Sequence, residues 1–224
     1  MGAKQISSQT SCPLCFAEQV FLFFQDSVRE YFQCSTCSLT FVPPDYFLSA
    51  EEEKARYDTH KNSPDDPGYR KFLSRLFDPL YPLLAPGSRG LDFGSGPGPT
   101  LSLMFEEHGH AMLLYDSFYA PHPTALHKTY DFITATEVLE HLHLPGQDLN
   151  GLWDCLNPGG YLGIMTKLAP TKDRFANWYY KKDPTHVSFF SRSTFEWLAV
   201  QWQTNATIIG DDVVIFRKLP KMEL

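Results

Sequence analysis

No apolar run in the sequence is long enough to cross a bilayer. Val20 to Phe24 is typical of its longest stretches, a fraction of the roughly 20 residues a spanning helix needs. A basic excess is missing too: 19 lysines and arginines face 26 acids, and the net charge of −7 leaves no electrostatic footprint for nucleic acid. Met1 to Ile6 lacks the apolar core of a secretory signal. Gly2 to Ser7 fits a myristoylation pattern, but matches this short are common by chance. These absences predict a cytoplasmic protein whose partner is a small molecule, not nucleic acid or a membrane. The 224 residues suffice for one good-sized domain with a small appendage, and 43% hydrophobic content with 20% charge suits a globular chain.

Cysteine is scarce, but four of the five residues form two pairs, Cys12-Pro-Leu-Cys15 and Cys34-Ser-Thr-Cys37. Each C-x-x-C can place two sulfurs on one tight knuckle, and two knuckles complete the tetrahedron of a four-thiolate zinc site. Disulfides are disfavoured in a reducing compartment, and a redox C-x-x-C has no need to occur twice. Zinc on Cys12, Cys15, Cys34 and Cys37 is therefore the expectation for a zinc-ribbon module over residues 1–50. Val20–Phe24 and Tyr31–Gln33 would be its strands, and it has too little core to fold without metal. Its charge is net negative even before thiolates are counted, so it reads as a protein- or substrate-facing cap. Cys155 stands alone and reads as an ordinary buried thiol.

The chain is organised around Gly90-Leu91-Asp92-Phe93-Gly94-Ser95-Gly96-Pro97-Gly98. A short apolar strand ends at an acid, and a glycine turn leads into a helix near Pro99. A dinucleotide fingerprint spaces its glycines G-x-G-x-x-G to seat a pyrophosphate. Here they fall at every second position behind Asp92, which would repel a diphosphate and attract a cation. Ala111–Tyr115 reads as the next buried strand and ends in Asp116, 20 residues after Gly96, where an acid can accept both hydrogen bonds of a ribose diol. Ser117 follows it. Between Asp116 and Tyr130 there is barely a strand and no further acid, so Phe118 or Tyr119 is left to cover an adenine.

Residues 51–68 form a linker or cap segment. It reads slightly better as a solvated linker helix than as a cap in which Tyr57, His60 and Asn62 fold over the pocket. Apolar spacing from Tyr69 to Leu84 fits one helical face. Helices are also expected over Thr100–His108 and Leu152–Leu156, the latter stopped by Asn157-Pro158-Gly159-Gly160, and a strand over Tyr161–Thr166. Residues 168–190 are a long aromatic and basic insertion, the composition of a functional lid rather than of disorder. Ser191 or Ser193 caps a helix through Trp202. Ala206–Ile209 and Val213–Phe216 bracket Gly210-Asp211-Asp212 as a hairpin.

Tyr130-Asp-Phe-Ile followed by Glu137-Val-Leu-Glu-His-Leu142, with the glycine turn, Asp116, the Pro-Gly-Gly turn and the closing hairpin, resembles the class I S-adenosylmethionine (SAM) methyltransferases over about residues 69–218. The "EVLEHL" stretch is similar to ubiquinone-pathway O-methyltransferases. The resemblance implies a Rossmann-like, mostly parallel α/β sheet of seven strands ending in an antiparallel hairpin, occupying residues 69–224 behind the zinc ribbon. It also implies SAM as cofactor, held by Asp92, Gly94, Gly96, Gly98, Asp116, Ser117, Thr134 and Thr136, the last two at the methionine end. A ribbon ahead of such a domain resembles the arrangement in some sugar C-methyltransferases.

Methyl transfer needs a base only where the acceptor must lose a proton. The candidates are His186 in the lid and Glu137. Glu137, Glu140 and His141 would share one helix face; in the ubiquinone-pathway enzymes this E-x-x-E-H pattern can hold a divalent cation. Two other classes compete: a zinc-ribbon adaptor whose Rossmann-like domain is catalytically inactive, and an NAD(P) oxidoreductase, which the glycine spacing and the terminal hairpin disfavour. The aromatic lid suggests a ring-bearing or planar acceptor, although sugars also stack on aromatics.

Overall fold

The computed structural model describes residues 11–59 and 62–220. Strands β1 (Val20–Gln25), β2 (Glu30–Cys34) and β3 (Thr40–Phe41) form an antiparallel meander. Helix α1 (Ala50–Tyr57) starts at a Ser49 capping box closed by Glu52. Helix α2 (Pro67–Leu80) buries Leu73, Leu76, Phe77 and Leu80, the stripe its apolar spacing predicts, and a 3₁₀ turn continues it to Leu83. Then follow β4 (Arg89–Phe93), α3 (Thr100–Glu107), β5 (Ala111–Tyr115), β6 (Tyr130–Thr136), α4 (Pro145–Asp154), β7 (Leu156–Met165), α5 (Lys172–Phe175), β8 (Ser188–Phe189), α6 (Arg192–Gln201, capped by Ser191), β9 (Ala206–Ile209) and β10 (Val213–Arg217).

The central sheet has the order β5-β4-β6-β7-β10-β9, parallel from β5 to β7 and closed by the antiparallel β9–β10 hairpin. This is the class I Rossmann-like architecture, with six strands instead of the expected seven. Residues 117–129 contribute an isolated Asp116–Ala120 bridge and a 3₁₀ turn over Pro123–His127 in place of a strand. Two further expectations are corrected. The Pro-Gly-Gly turn lies inside β7, with Gly159 at φ +87°, and the register shifts opposite it; the preceding helix already ends at Asp154. The E-x-x-E-H stretch forms no α-helix: Glu137 sits at φ +52° and a single 3₁₀ turn covers Leu139–His141.

Three cores result. Leu91, Ile133, Ile164 and Phe216 pack with the cysteine knuckles, and α2 and α3 cover Phe132 and Met165 on the other face. The third joins the two ends of the chain. Phe23, Tyr31 and Val42 from the cysteine module enclose Phe175, Tyr180 and Phe189 from the 168–190 insertion, and β8 pairs with β3 as the meander's fourth strand. The insertion is thus mostly a packed wall: this core consumes Phe175, Tyr180 and Phe189, Phe190 joins the first core, and Tyr179 stays exposed.

Candidate active site

Two local geometries anchor the cysteine module. In each C-x-x-C the residue after the second cysteine has positive φ, Phe16 at +61° and Ser38 at +60°. Phe16 N–H donates to Cys12 O and Ser38 N–H to Cys34 O; Cys12 N–H reaches Ala17 O and Cys34 N–H reaches Leu39 O. The duplicated turn brings the four sulfurs within 4.8 Å of one another, with Cys12–Cys37 and Cys15–Cys34 each at 3.4 Å. No disulfide forms. Tetrahedral Zn–S bonds of about 2.3 Å place sulfurs about 3.8 Å apart, so this cluster could hold zinc with little adjustment. The Thr36 N–H already points at Cys34 Sγ, 3.3 Å away.

A cavity of about 440 Å³ opens above the C-terminal ends of β4, β5 and β6, the usual ligand position in such sheets. Gly94, at φ +73°, turns the chain so tightly beneath Val138 that an added Cβ would fall 1.8 Å from its methyl. Of the residues expected to hold the cofactor, Gly94, Gly96, Asp116, Ser117 and Thr136 line the cavity. Asp116 ends β5 and accepts from the Gly96, Phe118 and Tyr119 N–H groups, which aim its carboxylate along the cavity wall.

Three other expected cofactor residues sit behind the cavity. Asp92 is buried, accepting from Thr134 Oγ1 at 2.7 Å and Ser102 Oγ at 2.9 Å, and burial pushes its carboxyl up to about 6. Thr134 is consumed by that contact. Gly98 packs under Asn62, whose carbonyl oxygen lies 2.1 Å from where its Cβ would be. The reading of 51–67 as a solvated linker is also corrected: Glu53, Tyr57 and Asn62 line the cavity, with Tyr57 against Phe118 and His141. His60, the remaining cap residue, and the myristoylation match at residues 2–7 lie outside the described residues.

The far end of the cavity collects Glu137, Glu140, His141 and His186. Tyr180 Oη donates to Glu140 Oε1 at 2.5 Å and stands 3.2 Å from Glu137, while Thr166 Oγ1 donates to Glu140 Oε2 at 2.7 Å. Burial pushes both carboxyls above their usual range, the Glu140 charge adds to the rise at Glu137, and the Tyr180 hydroxyl opposes it at both. A glutamate in the left-handed region costs on the order of 1 kcal/mol, a strain that tends to collect at functional sites. Each imidazole keeps Nδ1 against a backbone carbonyl, His141 on Thr185 O at 3.2 Å and His186 on Tyr180 O at 2.7 Å. Nδ1 is therefore the protonated nitrogen of each ring and Nε2 carries the lone pair. Burial, then the neighbouring His141, drives His186 down to about 3. One donor atom from each of Glu140, His141 and His186 lies within 4.8 Å of the others. Glu137, the third ligand expected from the helix-face reading, is not in this cluster, because its positive φ turns it off the 3₁₀ face.

Sequence reasoning missed Ser95, although it sits within the glycine turn. Its Oγ, like Thr136 Oγ1, is buried on the cavity wall without a hydrogen-bond partner. Two orphaned hydroxyls in the cavity that Asp116 lines fit a polar cofactor, since unpaired buried hydroxyls are costly. Asp148 and Tyr69 also line the wall. The lid's Phe175, Trp178 and Tyr180 do not; the cavity's rings are Tyr57, Tyr69, Phe72, Phe93, Tyr115, Phe118 and Tyr119.

Residues 65–209 match the family described as "Methyltransferase domain". No curated protein matches the chain. A SAM-dependent methyltransferase from Archaeoglobus fulgidus is 17% identical, with 75% of this chain and 98% of that chain covered and a TM-score of 0.52. At that identity the likeness shows the fold alone. The 1,6-didemethyltoxoflavin-N1-methyltransferase of Burkholderia thailandensis, bound to 1,6-didemethyltoxoflavin and S-adenosylhomocysteine, is 16% identical, with 88% of this chain and 98% of that chain covered and a TM-score of 0.48.

Proposed function

The chain belongs to the methyltransferase-domain family that residues 65–209 match, and from that membership we propose that it transfers a methyl group from SAM to a small-molecule acceptor. The observation that supports this most is Asp116, fixed by three backbone N–H groups on the wall of a cavity lined by two unpartnered hydroxyls. Asp116 would take the ribose diol, Ser95 and Thr136 other polar edges, and Phe118 or Tyr119 the adenine. Asp92 would act from behind the turn, through its charge. Bound SAM supplies an electrophilic methyl on a sulfonium.

The chain's own task is to hold the acceptor in line in a dry pocket. Where the acceptor's attacking atom carries a proton, methyl transfer would make that proton acidic, and a side chain of the pocket would have to receive it. His186 Nε2 is placed to take that proton. Burial leaves the Nε2 lone pair free but lowers its basicity, so the ring suits only a proton made strongly acidic by the transfer itself. Glu137, raised by burial, is the alternative acceptor.

A second reading is favoured by the Glu140, His141 and His186 cluster. Two neutral imidazoles with Nδ1–H pinned to carbonyls, and a carboxylate oriented by Tyr180 and Thr166, make a ligand set of the two-histidine, one-carboxylate type. His186 Nε2 would then bind a divalent cation and not a proton. Titration with Mn²⁺ separates the two: stoichiometric binding lost in His186→Asn supports the cation, and its absence leaves the proton-acceptor role.

SAM binding tests the main reading. Calorimetry is expected to give micromolar affinity, and Asp116→Ala to weaken it at least about 100-fold, the loss of two hydrogen bonds to a charged acceptor. Undiminished affinity in a folded Asp116→Ala protein would place the cofactor elsewhere. The four-cysteine cluster is proposed as a structural zinc site, and the division into residues 1–50, 51–68 and 69–224 as the functional one.

A further inference from the structure

Arg29 sits at the tip of the β1–β2 hairpin, in a turn whose Asp26 Oδ1 accepts from the Val28 and Arg29 N–H groups. Its guanidinium is buried, and among the described residues its donors meet carbonyls and a hydroxyl, not carboxylates. Nη1 donates to Pro184 O at 3.2 Å and His186 O at 3.0 Å; Nη2 donates to Asp183 O at 3.1 Å and to Lys181 O; Nε donates to Tyr31 Oη at 3.3 Å. All five N–H donors of the fork are used, four of them on backbone carbonyls about 155 residues away in sequence. Burying a guanidinium is costly unless its donors are satisfied, and a planar fork fixes its acceptors in direction as well as distance.

The cysteine module holds the insertion twice more, once from the same hairpin and once from beyond β3. Lys181, itself buried, donates from Nζ to Asp26 Oδ2 at 2.6 Å. Beyond β3, the Val42 N–H donates to Val187 O at 2.9 Å. On its other side the segment meets the active site: Val187 N–H donates to Glu140 O at 2.7 Å, and His186 Nδ1 lies on Tyr180 O. The backbone around His186 is therefore gripped between the cysteine module and the Glu140 turn.

We propose that the β1–β2 hairpin of the cysteine module is the positioning element for the His186 loop, with Arg29 as the positioning residue that orients the imidazole. The module then acts as part of the catalytic centre rather than as an appended adaptor. Cys34 closes β2, so the thiolate cluster sets the hairpin at one end and Arg29 transmits that order at the other. This inference rests on the reading of His186 as the reactive or ligating side chain.

The test uses the full chain with Arg29→Met, which keeps an unbranched apolar stem, and Arg29→Lys, which keeps a cation with fewer donors. Nitrogen NMR of the histidine rings reports the tautomer of His186, and hydrogen exchange reports the amides of Thr185, His186 and Val187. Arg29→Met is expected to lose the single Nδ1–H signature of His186 and at least tenfold of the loop's exchange protection. Amides of β4, β6 and β7 should stay unchanged, SAM affinity should stay within about threefold, and Arg29→Lys should fall between. Retention of both the tautomer and the protection in Arg29→Met would overturn the proposal, as would a loss shared equally by the central sheet. If Arg29→Met does not fold, the wild-type protein decides: the three loop amides must open together with β1 and β2 as one exchange unit, and opening independent of the hairpin overturns the proposal. Failure of SAM binding would be read separately, by calorimetry, and would sink the methyltransferase reading without touching the loop measurement.

Discussion

Asp92 shows what one buried side chain costs and what it implies. Its carboxyl is enclosed at the end of β4, held by two hydroxyls and no cation. With its folded pKa raised to about 6, the acid binds its proton more tightly in the native protein than in the unfolded chain. Stability is therefore greatest below the ordinary carboxylate pKa of about 3.9, and falls as pH rises through the window from about 4 to 6. Asp92→Asn keeps a hydrogen-bonding side chain for Ser102 and Thr134 but removes the ionisation. Without ligand, the variant is expected to gain on the wild type between pH 4 and 6 and to hold an advantage on the order of 3 kcal/mol at pH 8. Urea unfolding across that range measures it, and a constant difference between the two proteins would refute the assignment. An acid kept at this cost argues for a cation above it, so the same variant should bind SAM more weakly despite its greater stability.

At the scale of elements, the first knuckle docks on α4 as closely as it folds on itself. The Gly146 N–H at the start of α4 donates to Pro13 O, and a Cβ on Gly146 would fall 2.1 Å from Leu14 O. Gly146→Val must push the first knuckle away. The expected cost is about 2 kcal/mol, as for overpacking elsewhere, with faster loss of zinc to a chelator; unchanged chelator kinetics would show that the knuckle and α4 are independent. Elements with local chemistry were legible from sequence: the C-x-x-C turns, the apolar stripe of α2, the Ser191 cap and the Gly210-Asp-Asp hairpin. What failed depended on partners distant in sequence. The Pro-Gly-Gly turn reads as a helix stop, yet pairing with β6 draws it into β7. Glu137, Glu140 and His141 fit helical spacing, yet Glu137 adopts a positive φ that breaks the helix before it starts.

At the scale of the whole molecule, the candidate site was half legible. Asp116 and the Gly94–Gly96 turn are placed by local strand-to-turn geometry, which spacing encodes. Asp92, Thr134 and Gly98 also belong to that geometry, but packing turned them away from the cavity. The insertion's aromatics read as a lid because nothing local says that Phe23 and Tyr31, some 150 residues earlier, will enclose them. The cavity is lined by Glu53, Asp116, Glu137, Glu140 and Asp148, and among the described residues no lysine or arginine lines it. Such a wall favours a ligand carrying positive charge and opposes a diphosphate. A ligand that binds only the folded state raises stability by about 2.7 kcal/mol at a hundredfold excess over its Kd, a shift of roughly 5–11 °C in the melting temperature of a chain this size. SAM is expected to produce that shift and NADPH none at the same concentration. Asp116→Ala should abolish most of the SAM shift without lowering the unliganded melting temperature by as much. A melting curve raised by NADPH and left unmoved by SAM would return the cavity to the dinucleotide chemistry that the glycine spacing and the acidic wall both argue against.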